Sequence, residues 1–303
     1  MVSSEVSMRT VTDGLNEMAY SIIGSIEEML EHSSIRRWNT GHRERGAYNI
    51  MTGGLDYKWF PMELEGRQLQ SKALEEYRRF LAIVSALLKE QPDQSLKTLD
   101  QSRQRITAII EQNTHTAFRS PSEAAIVART ELQSQVGLLS SLYDASSGQI
   151  VCVPDTNALI FNPQLEDWRF QDSRSFVIVL TPTVLQELDE LKVLHRNEVV
   201  RDKCEKLITR IKGYRTRGSL TVGVVLVRNV SEIVAMAVEP DMTSSLPWLD
   251  PQNKDDRILA STLEVMRQRP RSAVVMVTRD INLQNKAEFA RIPSIEPPTI
   301  VVT

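Results

Sequence analysis

The hydrophobic pattern of this chain changes period at Ser146-Ser147-Gly148, and that change limits the fold more than any other feature. Upstream, apolar residues recur at helical spacing: Leu15, Met18, Ile22, Ile26, Met29 and Leu30, then Leu69, Ala73, Tyr77, Phe80, Leu81, Val84, Leu87 and Leu88. A further helix is predicted to about Asn113, and another opens at Ser120-Pro121-Ser122-Glu123, with proline in its first turn. Residues 33–61 carry Gly41, Gly46, Gly53 and Gly54 among aromatic residues and read as a long loop or a small irregular subdomain. Downstream, short β-branched runs at 150–154, 176–180, 222–227, 273–277 and 299–302 alternate with helical segments at 182–194, 198–215, 255–267 and 281–290. Continuous apolar strands separated by helices imply a parallel sheet covered on both faces. The expectation is an all-α domain over residues 1–145, followed by an α/β domain with a parallel sheet and helices on both faces over 148–303.

With 303 residues, 41% hydrophobic and 25% charged, the chain can fill two cores. A net charge of -3 gives no overall attraction to nucleic acid, so such a partner would need local basic patches or a cation. Cys152 and Cys204 lack metal-ligand spacing and read as small buried thiols of a reducing compartment. The four histidines form no zinc pattern. No signal peptide or membrane-length apolar run is visible, so the sequence points to a soluble cytoplasmic protein without a membrane partner.

Four acids in the second half stand where an unpaired carboxylate is costly. Asp155 and Asp280 each follow a strand, at the edge where open parallel sheets collect ligands. Each could equally serve as a helix N-cap. At about 100° per residue, Glu187 falls within the stripe of Val184, Leu188, Leu191 and Leu194, while Asp189 points away. Asp255 falls on the face of Ile258, Leu259, Thr262 and Met266, with Asp256 toward its edge. Those faces carry no lysine or arginine to neutralise the acids. Carboxylates turned toward a core favour a shared cation. An all-oxygen donor set suits Mg²⁺ or Mn²⁺ over Zn²⁺ and fits phosphodiester hydrolysis. No Ser-His-Asp or Cys-His arrangement, Walker A loop or GxGxxG competes.

Residues 150–303 resemble the PIN domain, a metal-dependent ribonuclease fold. The resemblance rests on PDTNALI (154–160), PTVLQELDELK (182–192), NKDDRILA (253–260) and VTRDINLQNKA (277–287). It implies that Asp155, Glu187, Asp255 and Asp280 are the catalytic, metal-holding acids, with Asp256 as a further metal ligand. Thr156, Asn157, Thr278, Asn282 and Lys286 fall beside them as candidate substrate contacts. The implied activity is a Mg²⁺- or Mn²⁺-dependent endoribonuclease on single-stranded RNA. The alternatives are a DNA or structure-specific nuclease with the same site, or a non-catalytic scaffold binding RNA or protein.

Two basic stretches are further candidates for RNA contact. Arg201, Lys203, Lys206, Arg210, Lys212, Arg215 and Arg217 could line a phosphate track or a solvated helix face. Arg36, Arg37, Trp38, His42, Arg43, Arg45, Tyr48 and Lys58 mix bases with aromatics, as single-strand binders do, or as a loop packed on its neighbour does. The first 145 residues are expected to regulate, to select substrate, or to join a second copy or an inhibitor protein.

Overall fold

The computed structural model describes residues 9–37, 57–113, 115–170 and 175–299. The chain divides into two compact units, Leu15–Leu139 and Met1–Gly14 with Ser140–Thr303.

The first unit is built on four helices: α1 (Val11–Glu31), α2 (Leu64–Leu88), α3 (Asp93–Glu111) and α4 (Pro121–Ser140). The stripes that the spacing marks out in α1 and α2 are largely buried: Leu15, Ile22, Ile26 and Met29 of α1 wholly so, as are Ala73, Phe80 and Val84 of α2, while Leu69 and Leu81 are half-buried. At the start of α4 the Ser120 hydroxyl accepts from the Glu123 N–H at 3.2 Å, while Glu123 accepts from the Arg119 N–H at 2.7 Å. Both satisfy donors at the helix start that would otherwise lack a partner.

The unit is not all-α. An antiparallel sheet of β1 (Ser34–Arg37), β2 (Tyr57–Phe60) and β3 (His115–Thr116) joins it, in that order. Ile35 faces Trp59 across the first pair, and Trp59 is buried. Arg36 lies 4.5 Å from the centroid of the Phe60 ring, a diagonal cross-strand contact. Strands this short hold too few residues for a period of two to stand out. Their pairing is non-local, so it leaves no mark within one window of sequence. Trp38, His42, Arg43, Arg45 and Tyr48 lie outside the described residues.

The second unit holds a mixed sheet in the order β6-β7-β5-β4-β8-β9. Its strands are β4 (Ile150–Pro154), β5 (Phe176–Leu180), β6 (Val224–Val227), β7 (Ser231–Ala235), β8 (Ala273–Val277) and β9 (Ser294–Ile295). The run from β7 to β9 is parallel, and β6 pairs with β7 antiparallel. That edge departs from the wholly parallel expectation because β6 and β7 form a hairpin. Its turn passes through Asn229 at φ 62, a left-handed conformation that asparagine tolerates. The strand expected at 299–302 falls mostly outside the described residues, and Thr299 is in no strand.

The helices are α5 (Thr156–Phe161), α6 (Pro182–Leu194), α7 (Glu198–Arg215), α8 (Lys254–Gln268) and α9 (Ile281–Phe289). β4 and β5 are buried along their whole length. Each buried valine, leucine or isoleucine contributes roughly 1.5–3 kcal/mol, so the β5-β4-β8 centre is the firmest part of the unit. From β4 the chain proceeds to β5 on one side, whereas β8 flanks the other. The carboxyl ends of β4 and β8 therefore border a switch point, where open sheets leave a crevice. Cys152 and Cys204 are both free and buried. Among the described residues, no helix is long and apolar enough to cross a membrane.

Candidate functional site

Asp155 and Asp280 leave the ends of neighbouring strands, β4 and β8. Both cap helices: Asp155 accepts from the Ala158 N–H at 2.6 Å, and Asp280 from the Asn282 and Leu283 N–H groups at 2.8 and 3.2 Å. Capping does not account for Asp155 fully. It is only 3% exposed, and its second oxygen accepts from the Thr278 hydroxyl at 2.5 Å. Burial pushes its carboxyl up to about 6, and the charges of Asp280 and Asp255 add to that rise, against the hydrogen bonds from Thr278 and Ala158. Among the described residues, its hydrogen-bond donors are a hydroxyl and a backbone N–H, neither of them charged.

Asp255 is raised for related reasons. Burial comes first; Lys286 opposes it, and Asp280, Asp256 and Glu187 add to it. The acids that the sequence picked out from two strand ends and two helices thus share one electrostatic neighbourhood. Glu187, on α6, accepts from the Thr156 hydroxyl at 2.6 Å, so the residue after Asp155 orients the helical glutamate. Thr156 and Thr278 are buried; Asn157 and Asn282 are exposed.

The helical faces are not as the spacing predicted. On α8, Asp256 is the buried acid at 6% exposure, while the Asp255 side chain is 39% exposed. Asp256 is held by polar partners: the Asp250 N–H at 2.9 Å and the Lys286 ammonium at 2.7 Å. On α6 the apolar stripe ends early, with Leu194 76% exposed, whereas Asp189 points outward as expected and pairs with Lys192. The expected lack of basic partners is also overturned. Lys254 reaches Glu190 at 2.6 Å and Glu187 at 3.9 Å, and Lys286 lies 3.8 Å from Asp255. Lys254 bonding holds Glu190 below the usual carboxylate range.

Several participants escaped the sequence reading. Lys254 left one trace: a cation in the first turn of α8 opposes the helix dipole, an unfavourable choice without a nearby acid. Arg279, between Thr278 and Asp280, stacks over Phe161 at 4.1 Å and keeps its charge at the rim. Glu239 joins the two acid-bearing helices, accepting from Thr183 of α6 at 2.9 Å and from Arg257 of α8 at 2.5 Å. Of the basic residues near α7, Arg201 bonds the His195 carbonyl, Arg210 the Pro163 carbonyl, and Arg217 stacks on Tyr214. Lys203, Lys206, Lys212 and Arg215 are exposed.

The donor chemistry fits a hard divalent cation: carboxylates crowd at one sheet edge, and one is buried with its proton affinity raised. The spacing stands differently. Among the described residues, no three acid, histidine or cysteine side chains approach closely enough to hold an ion together. Both Asp155 oxygens accept hydrogen bonds, and Lys254 and Lys286 lie 3.9 and 3.8 Å from Glu187 and Asp255.

Residues 152–297 match the family model of the PIN domain, so the second unit carries a nuclease-like fold. No curated protein matches the chain.

Proposed function

We propose that the second unit is a Mg²⁺- or Mn²⁺-dependent endoribonuclease that hydrolyses single-stranded RNA. The observation that carries this reading is Asp155, a buried carboxylate pushed up to about 6 beside Asp255 and Asp280 at the switch point of the sheet. Asp155, Glu187, Asp255 and Asp280 are the residues assigned to hold the cation. When bound, a divalent ion stabilises the charge on the attacking and leaving oxygens of a phosphodiester.

The chain's own groups prepare that site. Thr278 and the Ala158 N–H fix the Asp155 carboxylate, and Thr156 fixes Glu187. Glu239 ties α6 to α8 and so sets the separation of Glu187 and Asp255. Asp256 is assigned to anchor Lys286 and the 250 loop rather than to take a metal, since the Lys286 ammonium already neutralises it at 2.7 Å, whereas the hydrogen-bond donors to Asp155 are uncharged. At the rim, exposed Asn157, Asn282 and Arg279 are assigned to meet phosphate oxygens, which would hold a strand without reading its sequence.

One observation favours a second reading, a non-catalytic scaffold: Lys254 and Lys286 partly neutralise the acids in place of a cation. A circular single-stranded RNA separates the two, because only an internal cut opens a circle. The proposal expects opening with Mn²⁺ or Mg²⁺, none in EDTA, and none by a folded Asp155→Asn protein. It also expects slower cleavage of single-stranded DNA and duplexes. A circle that is bound but left intact with either ion would establish the scaffold instead.

A further inference from the structure

Along α9, Asn282, Lys286 and Phe289 stand at i, i+4 and i+7, within about 60° of one another around the axis. One helix face therefore presents an amide, an ammonium and an aromatic ring, starting two residues after Asp280. Seven residues of helix place Phe289 about 10 Å beyond Asn282 along the axis. Phe289 is 46% exposed and meets Trp248, itself 36% exposed, edge to face with ring centroids 5.3 Å apart. Trp59 and Trp168, by contrast, are buried.

The aromatic pair is also tied to the acids. Trp248 lies in the loop whose Asp250 N–H bonds Asp256, and Phe289 lies one turn beyond Lys286, which bonds the other oxygen of Asp256. A single buried carboxylate thus holds both supports of the pair. Leu246, two residues before Trp248, is buried. An apolar ring held half in water, with a second ring set edge-on against it and the Lys286 ammonium one turn away, offers an unpaired base a face to stack on and its phosphate a cation.

We propose that Trp248 and Phe289 form a stacking platform for an unpaired nucleobase of single-stranded RNA, adjacent to the scissile phosphate. This rests on the nuclease reading and deepens it by explaining a preference for single strands, whose base faces are open. In a duplex those faces are covered by neighbouring pairs.

The test is binding by the full chain in EDTA, which removes cleavage, with fluorescently labelled oligo(U), an abasic strand of the same length, and an oligo(U)·oligo(A) duplex. Trp248→Leu and Phe289→Leu should each weaken oligo(U) binding roughly tenfold or more, with the abasic strand unaffected. Trp248→Phe keeps a ring and should restore most of the affinity, which separates stacking from loss of fold. The proposal is overturned if the abasic strand loses as much, or if the duplex binds as tightly as the single strand. It is also overturned if both leucine variants bind oligo(U) like the wild type, a result that would leave the pair as a contact for a protein partner. The two readings fail separately. Trp248-dependent binding without cation-dependent cleavage would remove the nuclease and keep the platform. Cleavage whose KM is unchanged by Trp248→Leu would do the reverse.

Discussion

Asp155→Asn should stabilise the protein in the absence of metal while disabling it. Burial raises the Asp155 carboxyl from 3.8 to about 6. Each unit corresponds to about 1.4 kcal/mol, so keeping Asp155 ionised in the folded chain costs about 3 kcal/mol at neutral pH. The sign follows from proton binding. The folded state holds this proton more tightly than the unfolded state, so the contribution of Asp155 to stability falls as pH rises from about 4 to about 6. Asparagine removes the charge and keeps an acceptor for the Ala158 N–H. The Thr278 hydroxyl loses its charged acceptor, which offsets the gain by roughly 1 kcal/mol. The net expectation is about 2 kcal/mol at neutral pH, which is about 4–8 °C in Tm for a unit of this size. Near pH 4 the difference should vanish or reverse. Thermal unfolding followed by circular dichroism in EDTA, at both pH values, measures this. Added Mg²⁺ should raise the wild-type Tm toward that of the variant and leave the variant unmoved. A lower Tm for Asp155→Asn at neutral pH, or an equal shift at both pH values, would refute the argument that this buried charge is held in readiness for a cation.

Asp189 and Glu187 share α6, but the Asp189 side chain is 61% exposed and pairs with Lys192. Initial rates on single-stranded RNA should therefore fall by orders of magnitude for Glu187→Gln and change less than about twofold for Asp189→Asn. Asp256→Asn should act on stability, lowering it by about 1–3 kcal/mol in a urea titration, because its buried oxygens bond Lys286 and the Asp250 N–H.

The parts of the fold legible in the sequence are those whose apolar residues form an unbroken run or recur at helical spacing. β4, β5 and β8 read as strands because nearly every residue in them is apolar and mostly β-branched. β7 was missed because Ser231 and Glu232 break its apolar run. β9 and β1–β3 were missed because two to four residues carry no period, and partners distant in sequence stabilise them. Asp155 and Asp280 were visible as acids that end apolar strands. Asp256 was placed at an edge because the helical wheel counts apolar neighbours, whereas this residue is buried by polar partners. Lys286 lies 30 residues along the chain and reaches Asp256 because the chain returns through β8, which packs on α8, before α9 begins. The Lys254 and Lys286 pairings, and the Glu239 link between α6 and α8, belong to that same class of contact between distant residues.

The central claim is that acids from two strand ends and two helices make one cation site. Calorimetric titration of the metal-free chain with Mn²⁺ tests it most directly, comparing wild type with Glu187→Gln, Asp255→Asn and Asp189→Asn. Glu187 and Asp255 stand on different helices and pair with different lysines, so one shared ion requires that removing either carboxylate weaken the same binding event. The account expects saturable binding by the wild type and by Asp189→Asn, and affinity reduced at least tenfold in each of the other two. Mn²⁺ binding that survives both Glu187→Gln and Asp255→Asn at the wild-type affinity would contradict it.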